Sequence, residues 1–188
     1  MRNSETTRLR AAWIPQARGE VLEIGSGSGL NLPFYSAQVK HVFGVDPSLE
    51  LQQIAKKRIS GQVEVEFLPQ SAEQQLPIPD ASIDTIVMTW TLCSIPDTDK
   101  ALRQMRRVLK ADGQLLFIEH GRSRDSGVMA WQDQLTPAWR MIAGGCHLNR
   151  KIDALISAAG FRISTLNTFY IVGPRPMTFT YQGLAQLA

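Results

Sequence analysis

The chain has 188 residues, 44% of them hydrophobic and 20% charged, with a formal net charge of +3. That length supports one well-buried core, the composition is that of an ordinary soluble globular protein, and so small a positive balance gives no footing for nucleic-acid binding. No apolar run reaches the ~20 residues that cross a bilayer, and the polar opening MRNSETTRLR is no secretory signal. A single cytoplasmic domain over 1–188, without a stable membrane anchor, is the expectation.

In chain order, Glu5–Ile14 reads as a covering helix that Pro15 helps to end. The stretch EVLEIGSGSGLNLPFY carries an apolar run, Val21–Ile24, into three alternating glycines, Gly25, Gly27 and Gly29, with a helix expected over Leu30–Ala37. Val42–Asp46 is a second strand. Ser48 is a plausible N-cap for a helix reaching Ile59, with Leu49, Ile54 and Ala55 on one side. Val63–Leu68, Ile83–Trp90 and Gln114–Glu119 are further strands, dense in apolar residues with little alternation, as strands covered on both faces are. Between the last two, Asp97–Leu109 has helical spacing. Leu102, Met105 and Leu109 face inward, while Arg103, Arg106, Arg107 and Lys110 form a solvated surface. Asp112-Gly113 ends that helix.

Residues 121–150 break the rhythm and are expected to fold as a lid-like insertion over an acceptor site. A helix at Lys151–Ala159 follows, then two strand-like runs, Phe161–Thr168 and Met177–Tyr181. Their link through VGPRP is too short for a crossover helix, so this last pair should be antiparallel. Strand and helix otherwise alternate, which gives an α/β fold with a mostly parallel sheet and helices on both faces. Cys93 and Cys146 lie far apart without CxxC spacing, so neither a disulfide framework nor a zinc site is suggested. They read as small buried side chains beside a pocket.

The glycines stand where an open α/β sheet binds ligands, beyond a strand end and before the next element. A dinucleotide fingerprint would place its third glycine at position 30, where Leu30 stands. A NAD-dependent oxidoreductase is thereby disfavoured. Asp46 lies about 20 residues beyond the first glycine, where an acid can accept hydrogen bonds from ribose hydroxyls.

The pattern E-x-G-x-G-x-G resembles motif I of class I S-adenosylmethionine (SAM) methyltransferases. That resemblance implies a Rossmann-like, seven-stranded sheet with six parallel strands and one antiparallel, and SAM as cofactor. It also implies that Gly25, Ser26, Gly27 and Gly29 support the amino-acid end of SAM, and that Glu23 holds its cationic methionyl end. Asp46 and Pro47 would take the ribose, and Ser71, Ala72 and Glu73 would flank adenine. Thr89 and Trp90, at the end of strand four, would also contact the cofactor, and Trp90 and Leu92 would offer an apolar wall near the methyl group. Strand four runs into VMTWTLCSIPD and lacks the Asn/Asp-Pro-Pro-aromatic sequence of many enzymes that methylate base or glutamine amino groups.

The segments TLCSIPD, MRRVLKADG, LLFIEHGRS, WQDQLTPAW and GGCHLNR are similar to thiol methyltransferases related to the animal microsomal alkyl-thiol enzymes and their soluble bacterial relatives. The hydrophobic N-terminal anchor of the membrane-bound members is not matched here. The implied acceptor is a small thiol or hydrogen sulfide. A thiol with pKa near ~8.5 already supplies a few per cent of thiolate at neutral pH. His120 is the first candidate to accept its proton, with Asp133 and His147 as second choices. Trp131 and Trp139, eight residues apart, either roof the acceptor pocket or pack the insertion on the core. Arg122, Arg124 and Arg150 bind an anionic group or serve the surface. Methylation of a lipid amine or quinone-like carbon, and a non-catalytic SAM-binding module, are the rival readings.

Overall fold

The computed structural model describes residues 4–59, 61 and 63–188; the first three residues of the polar start lie outside these. The strands are β1 (Gly19–Ile24), β2 (Val39–Val45), β3 (Glu64–Leu68), β4 (Ile83–Thr89), β5 (Leu109–His120), β6 (Phe161–Tyr170) and β7 (Phe179–Leu187). The helices are α1 (Ser4–Trp13), α2 (Leu49–Lys56), α3 (Thr98–Val108), α4 (Ser126–Ile142) and α5 (Ile152–Ala158). The sheet order is β3-β2-β1-β4-β5-β7-β6. β1 to β5 pair in parallel, and β7 runs antiparallel between β5 and β6. Six strands thus point one way and β7 the other, as expected.

Each central strand divides its residues between two cores, because successive side chains leave opposite faces. Leu22, Ile24, Ile86, Met88, Leu115 and Phe117 pack with Leu102, Met105 and Val108 of α3 and with Ile152 and Ile156 of α5. Val21, Val42, Val87 and Leu116 pack on the other face with Ile14, Leu32, Tyr35 and Ala55. The cap read from sequence is made, with Ser48 Oγ accepting from Leu51 N, and α3 has one of its own, the Asp97 carboxylate accepting from Lys100 N. Among the described residues no helix is long and apolar enough to cross a membrane.

Two expectations are corrected. The helix over Leu30–Ala37 is only a single 3₁₀ turn, Leu32–Phe34. Pro33 cannot donate to a helical ladder, and the Asn31 side chain is spent on tertiary partners. β5 begins at Leu109, so Asp112-Gly113 lies inside a strand and does not end a helix. There the register against β4 jumps from Ile83↔Leu109 to Thr85↔Gln114.

Residues 121–150 contain α4, capped by Asp125, whose carboxylate accepts from Gly127 N and Val128 N. Gln132, fully buried, fixes this helix: its Oε1 accepts from Ser123 N, and its Nε2 donates to Gly121 O and Pro176 O.

Candidate active site

From β1 the chain moves outward to β2 and β3, while β4 opens the other wing of the sheet. Strand order therefore reverses between β1 and β4, the place where open α/β sheets take ligands. Two cavities lie there, of about 280 Å³ and about 80 Å³, and Gly25 lines both.

The glycine turn has two different reasons for its missing side chains. Gly25, Gly27 and Gly29 all have positive φ, at 69°, 50° and 72°. A Cβ on Gly25 would fall 2.3 Å from Thr91 Oγ1, and one on Gly29 would fall 3.1 Å from Ala55 Cα. Those two glycines are bare so that neighbouring elements can close. A Cβ on Gly27 would meet nothing nearer than Gly25 O at 3.8 Å and Asp46 Oδ2 at 3.9 Å. That position faces open space.

The smaller cavity is charged. Glu23 and Thr89 end β1 and β4 on the face that carries α1, and Asn31 joins them: its Nδ2 donates to Glu23 Oε1 and to Thr89 Oγ1, each at 3.0 Å. Tyr35 donates its hydroxyl to Glu23 Oε2 at 2.7 Å, and Arg10 Nε donates to Asn31 Oδ1 at 3.0 Å. Burial pushes the Glu23 carboxyl up to about 7, against the pull of the Tyr35 and Asn31 hydrogen bonds and the Arg10 charge. Arg10 also lies 4.6 Å over the Trp90 ring. Trp90 has φ of +50°, a conformation that costs a bulky residue about 1–2 kcal/mol and that clusters at functional sites. Ser26 Oγ is buried in the same cavity wall with no hydrogen-bond partner.

The larger cavity begins at Asp46. Its Oδ2 accepts from Gly27 N at 3.0 Å and its Oδ1 from Ser48 N at 2.9 Å, which holds the carboxylate at the cavity wall. Ala72, Val45 and Ile95 give the far part an apolar lining, with Ser71, Thr91 and Ser94 as polar points. The loop after β4 is clamped from both sides. Glu119, fully buried, accepts backbone N–H groups from Thr91 and Leu92 at 2.9 and 3.0 Å, with Cys93 N at 3.4 Å. Arg150 Nη1 donates to Leu92 O and, at 2.7 Å, to Ile95 O, while His147 N donates to Cys93 O at 2.8 Å.

Residues 22–117, just over half the chain, match the family model described as a methyltransferase domain. The chain belongs to the methyltransferase-domain family. Within that family it is 34% identical over 145 residues to the thiol S-methyltransferase TMT1B of Rattus norvegicus, covering 75% of this chain and 59% of that protein. It is 35% identical over 130 residues to the phosphatidylethanolamine N-methyltransferase of Cereibacter sphaeroides, covering 68% of this chain and 63% of that one. The chain thus spans about three fifths of the length of these curated relatives. A SAM-dependent methyltransferase from Methanosarcina mazei superposes with a TM-score of 0.71 at 21% identity, over 92% of this chain and 93% of that one, which establishes the fold alone.

In this methyltransferase domain Glu23, Gly25, Ser26, Gly27, Thr89, Asp46, Pro47, Ser71 and Ala72 all line one cavity or the other. Gly29 supports the turn from behind, and Trp90 borders the site through Arg10. Glu73 turns away: its carboxylate takes the Ser71 hydroxyl at 2.8 Å and Asp97 N at 2.6 Å. His120 is buried, with Nδ1 3.7 Å from Cys146 Sγ and Nε2 lacking a hydrogen-bond partner. His147 Nδ1 sits 3.2 Å from Cys93 O, and desolvation, then the Arg150 charge, lowers its pKa. Asp133 is engaged by Arg122 through two bonds of 2.7 and 2.9 Å and by Asn149. Trp131 is 59% exposed, while Trp139 is half-buried.

Sequence reasoning assigned no role to Arg10, Asn31, Tyr35 or Glu119. Asn31 and Tyr35 stand just after the glycines, and a polar pair in an otherwise apolar turn was the available signal. Arg10 and Glu119 left none.

Proposed function

We propose that this chain binds SAM across the two cavities and transfers its methyl group to the sulfur of a small thiol. The observation that carries the donor assignment is the contrast between the cavities joined at Gly25. Arg10 and Glu23, of opposite charge, line one, and Asp46 leads into the apolar lining of the other. An amino-acid group carries both charges and so suits the first, with Ser26 Oγ supplying an uncommitted hydroxyl. A ribose suits Asp46 and Pro47, and adenine suits the slot of Ser71, Ala72 and Ile95. When bound, SAM supplies an electrophilic methyl on a sulfonium.

The chain's part is alignment and the exclusion of water, which together account for much of the acceleration of such a displacement. The thiol assignment is supported by the relative named as a thiol S-methyltransferase and by the modest base a thiol needs. His120 is the residue we assign to take the proton, because its buried Nε2 has no partner in the fold. Gly144, at the end of α4, lines the larger cavity, which supports residues 121–150 as its cover within a single functional unit.

The test is release of S-adenosylhomocysteine by the purified chain given SAM with hydrogen sulfide, methanethiol, longer alkyl thiols or phosphatidylethanolamine vesicles. Turnover on at least one thiol is expected, with His120→Ala lowering kcat about 100-fold or more while SAM binding is retained. Turnover on the phospholipid amine and on no thiol would replace this reading with lipid N-methylation, the activity named in the Cereibacter relative.

A further inference from the structure

The only two cysteines of the chain, remote in sequence, meet in the fold. Cys93 lies in the loop after β4 and Cys146 in the loop after α4, and both are free and buried. Gly144 and Gly145 have φ of 59° and 83°, and a Cβ on Gly145 would stand 3.2 Å from Ser94 O. This glycine pair lets the second loop settle directly on the first. His147 N then donates to Cys93 O at 2.8 Å, one peptide bond beyond Cys146. Cys93 and Cys146 are close enough for each thiol to shift the other's titration, one up and one down, and His120 Nδ1 is 3.7 Å from Cys146 Sγ. Ser94, next to Cys93, and Gly144, two residues before Cys146, line the larger cavity.

We propose that Cys93 and Cys146 form a peroxide-sensitive thiol pair whose disulfide staples the two loops and slows exchange of the ligand in the larger cavity. Cys146 reacts first: it keeps 9% of its surface exposed against 2% for Cys93. The Cys93 thiol, then His120, lowers the Cys146 thiol below the usual range, while the same contact raises Cys93. The thiolate is the reactive form.

Cys146 sulfur attacks one oxygen of hydrogen peroxide, the O–O bond breaks, and hydroxide leaves to become water with the sulfur as sulfenic acid. Cys93 sulfur then attacks Cys146 sulfur, the S–O bond breaks, and the hydroxyl departs with the Cys93 proton as a second water. Two sulfurs are oxidised by one electron each, and one peroxide is reduced by two. Small thiols reverse the bond by exchange.

Because a thiol acceptor would itself reduce the staple, the test avoids turnover. The reduced chain is treated with one equivalent of hydrogen peroxide, blocked with an alkylating reagent and mapped by mass spectrometry. Stopped-flow tryptophan fluorescence then follows dissociation of S-adenosylhomocysteine. The expected result is a Cys93–Cys146 cross-link within one chain, two hydrogens lost, and dissociation about fivefold slower or more. A phosphine reductant restores the rate, and in Cys93→Ser and Cys146→Ser peroxide gives no cross-link and no slowing of dissociation. Two thiols still open to alkylation, a sulfinic acid on Cys146 with Cys93 free, a cross-link between chains, or a staple with an unchanged rate would each overturn the proposal. Mapping of the unsubstituted chain stands even if a variant misfolds, and the thiol-acceptor reading can fail without touching it.

Discussion

Glu23 couples the candidate site to pH. Its carboxyl titrates at about 7 because it is buried, and a cation held beside it favours the ionised form. Below that pH the side chain is mostly neutral, so taking up an ammonium group has to expel a proton. SAM affinity should therefore rise by up to about tenfold per pH unit from 5.5 toward 7 and level off above. Calorimetry in buffers of different ionisation enthalpy would register the released proton. Glu23→Gln should flatten the profile and bind about tenfold more weakly at pH 7.5. The glycines divide in the same residue-level way. Gly29→Ala presses on the α2 backbone, so it should cost stability, whereas Gly27→Ala meets open space and keeps only its backbone strain of about 1–2 kcal/mol. Thermal melts should separate the two variants, while titration with SAM should show binding impaired in both.

At the scale of elements, the loop after β4 is the piece on which both cavity walls and the thiol pair depend. Its N–H groups end on Glu119 and its carbonyls on Arg150, both buried or partly buried. Arg150→Ala should lower stability by about 2–3 kcal/mol through lost charge-assisted bonds and weaken SAM binding, seen in denaturant unfolding and in titration. None of this clamp was legible in the sequence. Glu119 and Arg150 hold backbone atoms, and a backbone partner leaves no pattern of residue types. By contrast β1, β2 and β4 were legible because burial on both faces forces continuous apolar runs. Gly25 to Gly29 and Asp46 were legible because their spacing from a strand end is fixed by the sheet itself. The Leu30–Ala37 segment misled because its apolar residues pack on the sheet through a 3₁₀ turn, with periodicity too short to separate that from a helix. Cys93 and Cys146 were each seen as buried, but their meeting depends on where two loops fold, which spacing cannot supply.

The whole molecule places its ligand-facing groups by topology. Crossing from the β2 wing to the β4 wing leaves a crevice with Gly25 at its middle, and the two faces of the sheet give that crevice a charged end and an apolar end. A fold of this kind hosts many activities, so the assignment of SAM rests on the side chains at the crevice. The most direct measurement is calorimetric titration of the full chain with SAM, beside Asp46→Ala. One-to-one binding in the micromolar range, roughly −8 kcal/mol, weakened about tenfold or more in the variant, is the predicted result. A correctly folded chain that gives no binding heat with SAM at millimolar concentration would contradict it.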